Sequence, residues 1–251
     1  MSLVVQNLTI KFADTTVVDD VSFAVGDGER LGIIGASGSG KSVTALAVAG
    51  LLSETARISG SIRLDGQELV GMREKHWRKL RGNRFSMVFQ EPMTALDPTM
   101  PVGRQIAETI GLHSRRTGKR RSVEAELERV GISDPRRVAD SFPHELSGGQ
   151  RQRALIAMAI VNQPDLVICD EPTTALDVLV QRQILDLLDE VLVGRSALFI
   201  THDLAVVRQV CPRAIVMQSG RIVEEGLVDQ LINQPRHDYT RALVTAAKGE
   251  L

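Results

Sequence analysis

The stretch Gly35-Ala36-Ser37-Gly38-Ser39-Gly40-Lys41-Ser42 constrains this chain more than any other, because both of its flanks agree with it. Residues 30–34 before it form a short apolar strand pattern, and residues 43–52 after it an apolar helical one. A glycine-rich loop between a strand and a helix fits G-x-x-x-x-G-K-[ST] in the context that pattern requires. Glycines let the backbone curl until successive N–H groups face one point, and the helix N-terminus adds partial positive charge there. Such a concavity takes phosphate oxygens. Lys41 is placed to reach the β- and γ-phosphates of a nucleotide, and the Ser42 hydroxyl to ligate Mg²⁺. A glycine-rich turn with an incidental lysine accounts for the loop but for neither flank.

Around that unit the pattern is mixed α/β. Residues 3–12 and 17–25 read as β-branched strands, with a turn at Gly26, Asp27 and Gly28. Residues 61–64, ending at Asp65-Gly66, read as one arm of a hairpin. Further strands are expected at 84–89, 166–170, 197–200 and 214–218, the last turning at Ser219-Gly220. A helix is expected over 177–193, where Val180, Ile184, Leu188 and Leu192 share one face. Alternating strands and helices imply a largely parallel sheet covered on both faces. Residues 101–161 break the alternation with a helical pattern that starts at Pro101, and the charged run 115–121 within it reads as a solvated loop. The expected division of the 251 residues is one domain: a core of about 1–92 and 162–225, a helical insert of about 93–161, and a C-terminal extension of about 226–251.

Composition narrows the partners. Lys and Arg total 30 against 31 Asp and Glu, a net charge of -1, so no broad attraction to nucleic acid or acidic membrane is expected. Cys169 and Cys211 are too few for a disulfide scaffold, and Cys169 lies in an apolar run as a core residue would. No signal-peptide pattern opens the sequence, and no apolar run approaches the roughly 18–20 residues that span a bilayer. A cytosolic location is expected, with any membrane role passing through a partner.

Two more motifs carry chemistry. Leu166-Val167-Ile168-Cys169 leads into Asp170-Glu171 and Pro172, a buried strand ending in adjacent carboxylates. Ligands sit at that end of open α/β sheets. Strand alternation turns the two carboxylates different ways, so Asp170 can organise Mg²⁺ while Glu171 orients and deprotonates a water. Leu146-Ser147-Gly148-Gly149-Gln150 opens a second glycine-rich helix start. A serine hydroxyl and the N–H groups of a helix N-terminus make another anion site. One γ-phosphate does not need both from one chain, unless they belong to opposite halves of a dimer.

The combination resembles the ABC ATPases, whose signature is LSGGQ, and other family elements follow in order. Gln90 is similar to the Q-loop glutamine, Asp177 to the D-loop aspartate, and His202 to the switch histidine. Phe12 stands where the family places an aromatic against adenine. The resemblance covers roughly residues 3–243 and implies a P-loop NTPase (RecA-like) core with an antiparallel β subdomain and an inserted helical subdomain. It further implies ATP, with Mg²⁺ on Ser42, Gln90 and Asp170, and a sandwich dimer. The cradle, Gln90, Asp170, Glu171 and His202 of one subunit then face Ser147 and Gly149 of the other.

Three segments are similar to the oligopeptide, dipeptide and nickel uptake branch: residues 89–98, Phe142-Pro143-His144-Glu145, and residues 235–243. That likeness implies an importer subunit at the cytoplasmic face of the membrane. Its expected partners are a second ATP-binding subunit (identical or different), two transmembrane permease subunits and, indirectly, an extracellular substrate-binding protein. Residues near 90–110, with Met93 and Met100, are the expected partner surface. Some members continue into a cysteine-rich extension; without it, no iron–sulfur cluster is expected. The competing reading is a non-transport ABC ATPase acting on nucleic acid. Such proteins insert long coiled coils between cradle and signature, where residues 43–145 here hold only a compact helical stretch. No nucleic-acid partner is therefore expected.

Overall fold

The structure, a computed structural model, describes residues 1–117, 121–174 and 176–247. In chain order it runs β1 (Leu3–Phe12), β2 (Thr15–Val25), β3 (Arg30–Ile34), α1 (Lys41–Ala49), β4 (Ala56–Leu64), β5 (Gln67–Glu68), α2 (Glu74–Leu80), β6 (Phe85–Val88), α3 (Pro92–Ala95) and α4 (Val102–Thr117). It continues through α5 (Val123–Arg129), α6 (Pro135–Asp140), α7 (Gly148–Ile160), β7 (Leu166–Asp170), α8 (Val178–Val191), β8 (Ser196–Thr201), α9 (Leu204–Val210), β9 (Arg213–Gln218), β10 (Arg221–Leu227), α10 (Val228–Asn233) and α11 (Asp238–Ala247). These elements form two compact units, Met1–Arg78 with Gly194–Leu251, and Lys79–Val193.

The first unit holds two layers of strands. The antiparallel set runs β2-β1-β4-β5. In β1 the inward residues Leu3, Val5, Leu8 and Ile10 are buried. Their spacing skips a residue at Asn7, whose φ of 48° accompanies a register shift, so Leu8 and Ile10 stay on the core face. The other set runs β10-β9-β3-β8, with β3 parallel to both β8 and β9 and β10 antiparallel to β9. As an inner strand, β3 is covered on both faces, and Leu31, Ile33 and Ile34 are wholly buried. Each such side chain contributes about 1.5–3 kcal/mol. Their burial anchors the point at which the glycine loop departs.

The helix after that loop differs from the sequence pattern at both ends. α1 starts at Lys41, two residues before the apolar run, and stops at Ala49. Gly50, at φ 62°, turns the chain: its N–H bonds the Ala47 carbonyl, and the Leu51 N–H the Leu46 carbonyl. A Cβ at Gly50 would lie 2.4 Å from the Trp77 ring, so glycine is required for space as well as for conformation. Leu51, counted with the helix by its hydropathy, lies beyond it and is partly exposed.

In the second unit β6 and β7 pair in parallel, and an Arg84–Asp165 ion pair of 2.6 Å brackets their start. Helices α3 to α7 occupy the span between these strands. The described ends of the run 115–121 are not the solvated loop its charge suggests. α4 extends through Thr117, residues 118–120 lie outside the described residues, and Arg121 donates to Glu126 at 2.9 Å with side chains only 12% and 8% exposed. Glu126 on α5 is buried and also faces Arg129, so Arg121 is drawn in as its counter-charge. On α8, Ile184 and Leu188 are buried as their spacing predicts, as is Leu192 at its C-terminal cap, and Val180 is half-buried.

Candidate nucleotide-binding site

The glycine loop is built by sterics from distant parts of the first unit. A Cβ on Gly35 would lie 2.3 Å from the Met217 carbonyl oxygen and 2.7 Å from Ser39 Oγ. Gly40 combines φ 99° with a space limit, since a Cβ there would lie 2.9 Å from the Val17 carbonyl oxygen. The loop is therefore clamped between β9 and the β1–β2 hairpin, and only glycine fits at either contact. Gly220 N–H holds the Ser39 carbonyl at 3.1 Å, and the Thr44 hydroxyl holds that of Gly40 at 2.9 Å.

Lys41 is 5% exposed, and its ammonium donates to the carbonyls of Gly35 at 2.8 Å and Ala36 at 2.9 Å. A buried ammonium folded over its own loop is a strong local attraction for an anion. Ser42 follows in the first turn of α1, while Ala36, Ser37 and Gly38 face solvent and Ser39 is buried.

His202 and Phe12 belong to the same unit. β3 and β8 are in register at Ile34–Thr201, so Gly35 and His202 leave adjacent strands at the same level. His202 is exposed, in a turn where the Thr201 hydroxyl accepts the Asp203 N–H at 3.0 Å and Asp203 caps α9. Phe12 ends β1 opposite Thr15, half-buried, on the hairpin whose Val17 carbonyl abuts Gly40.

The carboxylates belong to the second unit. β7 is buried throughout, and Asp170 at its C-terminal end is 6% exposed. The chain then leaves the extended conformation: Glu171 has φ 45°, ahead of Pro172. A non-glycine residue in this region stores about 1–3 kcal/mol of strain, and such residues cluster at functional sites. The turn points the Glu171 carboxylate at two donors, Thr174 Oγ1 at 2.8 Å and Gln90 Nε2 at 3.3 Å, both on Oε2. Thus Gln90 and Glu171, 81 residues apart, meet as a hydrogen-bonded pair.

The signature forms the start of α7. Ser147 is its exposed N-cap: the hydroxyl accepts the Gln150 N–H at 3.3 Å, and Gln150 Oε1 accepts the Ser147 N–H at 3.2 Å. A Cβ at Gly149 would lie 2.9 Å from Val180 Cγ1. Asp177 caps α8 in the same way, accepting the Val180 N–H at 3.0 Å.

Sequence reasoning missed several supporting groups. Thr174 sits in the acidic pair's own turn and is an ordinary hydroxyl by sequence. Gln105, 7% exposed, bonds Asp97 and Met100 and fixes the loop that ends at Pro98. Glu145 accepts the Phe142 N–H at 2.7 Å, so residues 142–145 are a turn that delivers the chain to Ser147. Both cysteines are buried, and burial pushes the Cys211 thiol up to about 12, opposed only in part by Arg30, which leaves it inert.

The family model described as ABC transporter matches residues 18–174, from the hairpin beside the cradle through the acidic pair. The oligopeptide transport ATP-binding protein OppD of Mycobacterium tuberculosis is 52% identical over 235 residues, which is 91% of this chain and 38% of that protein. The chain thus spans little more than a third of the length of the first relatives it matches. The probable peptide ABC transporter ATP-binding protein y4tR of Sinorhizobium fredii is 48% identical over 239 residues, 92% of this chain and 71% of that one. Among solved structures, a dimeric post-hydrolysis state of the ATP-binding cassette MJ0796 bound to ADP and Pi gives a TM-score of 0.76 at 26% identity, covering 90% of this chain and 98% of that one. The fold is the α/β P-loop core with an antiparallel β subdomain and inserted helices, and the chain belongs to the ABC transporter family.

Proposed function

We propose that the chain is the ATP-binding and ATP-hydrolysing subunit of an ABC importer that takes up peptides. The observation that carries this reading is Glu171, turned by its left-handed backbone onto Thr174 and Gln90 at the end of a buried strand. In the proposed reaction residues 35–42 hold the phosphates, and Lys41 exchanges its carbonyl partners for β- and γ-phosphate oxygens. Glu171 takes the proton of the water that attacks the γ-phosphorus as the bond from that phosphorus to the bridging β-phosphate oxygen breaks and ADP leaves, and His202 steadies the transferred group. Phe12 stacks on the adenine. Asp177 positions the facing half of a dimer, and Ser147 and Gly149 of that half close over the γ-phosphate.

The donors fit Mg²⁺. The Ser42 hydroxyl, the Asp170 carboxylate and the Gln90 amide oxygen are all hard oxygens, and Gln90 directs its NH₂ at Glu171, which leaves that amide oxygen as its acceptor. No group of three or more His, Cys, Asp or Glu able to hold a metal occurs among the described residues, so the ion needs the nucleotide's own oxygens. When bound, Mg²⁺ neutralises charge that develops on the phosphates.

Peptide as the substrate class follows the names of the relatives. No helix of the described residues is long and apolar enough to cross a membrane, so the proposal assigns passage to two permease subunits fed by an extracellular binding protein. The chain then sits at the cytoplasmic face beside a second ATP-binding subunit. Phe89 and Met93, 37% and 43% exposed, supply apolar area for docking the permease. Glu171→Gln is expected to bind MgATP as the wild type does and to lose about 10²–10⁴-fold in turnover. Near-normal turnover in that variant removes Glu171 as the base.

A further inference from the structure

Residues 235–243 carry a sequence pattern with no part in the hydrolysis chemistry, yet they touch the phosphate cradle. The Tyr239 hydroxyl, on α11, accepts the Ala36 N–H at 2.8 Å. The carbonyl of the same Ala36 accepts Lys41 Nζ at 2.9 Å. One loop residue is thus held on its amide by the C-terminal segment and on its carbonyl by the lysine that reaches for phosphate.

The segment that presents Tyr239 is itself anchored. Glu224 on β10 accepts the N–H groups of Arg236 at 2.9 Å and His237 at 3.0 Å. Arg241 donates to the carbonyls of Pro235 at 3.1 Å and Arg236 at 2.8 Å, and the Tyr239 N–H donates to His237 Nδ1 at 3.2 Å. Burial works against the Glu224 charge, but the neighbouring Thr240 hydroxyl and the two bonded N–H groups, with His237 nearby, hold its carboxyl below the usual range. The anchor is a carboxylate at neutral pH.

We propose that Tyr239 is a positioning residue for the phosphate cradle, with Glu224 as its anchor, so that residues 235–243 set how tightly the loop holds nucleotide phosphate. Gly35 is blocked by the Met217 carbonyl and Ser39 is tethered to Gly220, and Ala36, exposed between them, is held on its amide by Tyr239. The inference rests on the reading of residues 35–42 as the ATP site.

The test measures MgATP affinity, KM and kcat for the full chain as wild type, Tyr239→Phe, Glu224→Ala and the double variant. Removing one neutral hydrogen bond predicts a rise of about 3–10-fold in Kd and KM for Tyr239→Phe, with kcat and melting temperature unchanged. Glu224→Ala, acting through the tyrosine, is expected to raise both similarly, and the double variant to be no weaker than the worse single one. Equal affinity in wild type and Tyr239→Phe, or single effects that multiply, overturns this inference alone. A wild type that binds no MgATP overturns the ATP reading and this inference with it.

Discussion

The chain contains two glycine-rich helix starts, and they are built in opposite ways. The one before α1 is clamped: its lysine is buried on its own carbonyls, and backbone oxygens of Met217 and Val17 leave no room for side chains at Gly35 and Gly40. The one before α7 is open: Ser147 is exposed and self-capped, and Gly149 meets only the Val180 side chain. Each concentrates N–H groups at a helix terminus. The difference is the source of rigidity. A clamped loop can hold phosphate within its own subunit, whereas an exposed cap is finished only by what is laid against it.

Lys41→Ala strikes this contrast hardest. Removing the buried ammonium is expected to weaken MgATP binding by about 10²-fold or more in a titration of the purified chain. Glycine substitutions sharpen the comparison at lower cost. Gly40→Ala combines a left-handed residue with a backbone clash and is expected to lower unfolding stability by about 2–3 kcal/mol. Gly149→Ala presses only on a movable valine branch, and a loss of less than about 1 kcal/mol is expected in the same denaturation experiment. Equal losses at the two glycines erase the distinction between clamped and open.

Features written in local pattern were legible in the sequence. The cradle, the apolar strand ending in Asp170-Glu171 and the α8 face each declare themselves within a dozen residues, by periodicity and glycine spacing. What escaped depends on the chain returning from afar. Met217 and Val17 explain why Gly35 and Gly40 are glycine, and neither belongs to the motif they enforce. Tyr239 lies 203 positions from the amide it receives. Arg121 was misplaced because a charge run signals solvent until a buried partner such as Glu126 is known. The left-handed turn at Glu171 also has no sequence signature, since only a fixed surrounding holds a glutamate there.

The account turns on one division of labour, a cradle that binds and a cap that completes. Ser147→Ala in the assembled transporter measures it directly, by MgATP affinity beside turnover at saturation. Affinity within about twofold of wild type and turnover lowered about 10–100-fold, the worth of a hydrogen bond to a charged group, is the predicted result. Unchanged turnover, or an affinity loss as large as that of Lys41→Ala, contradicts it.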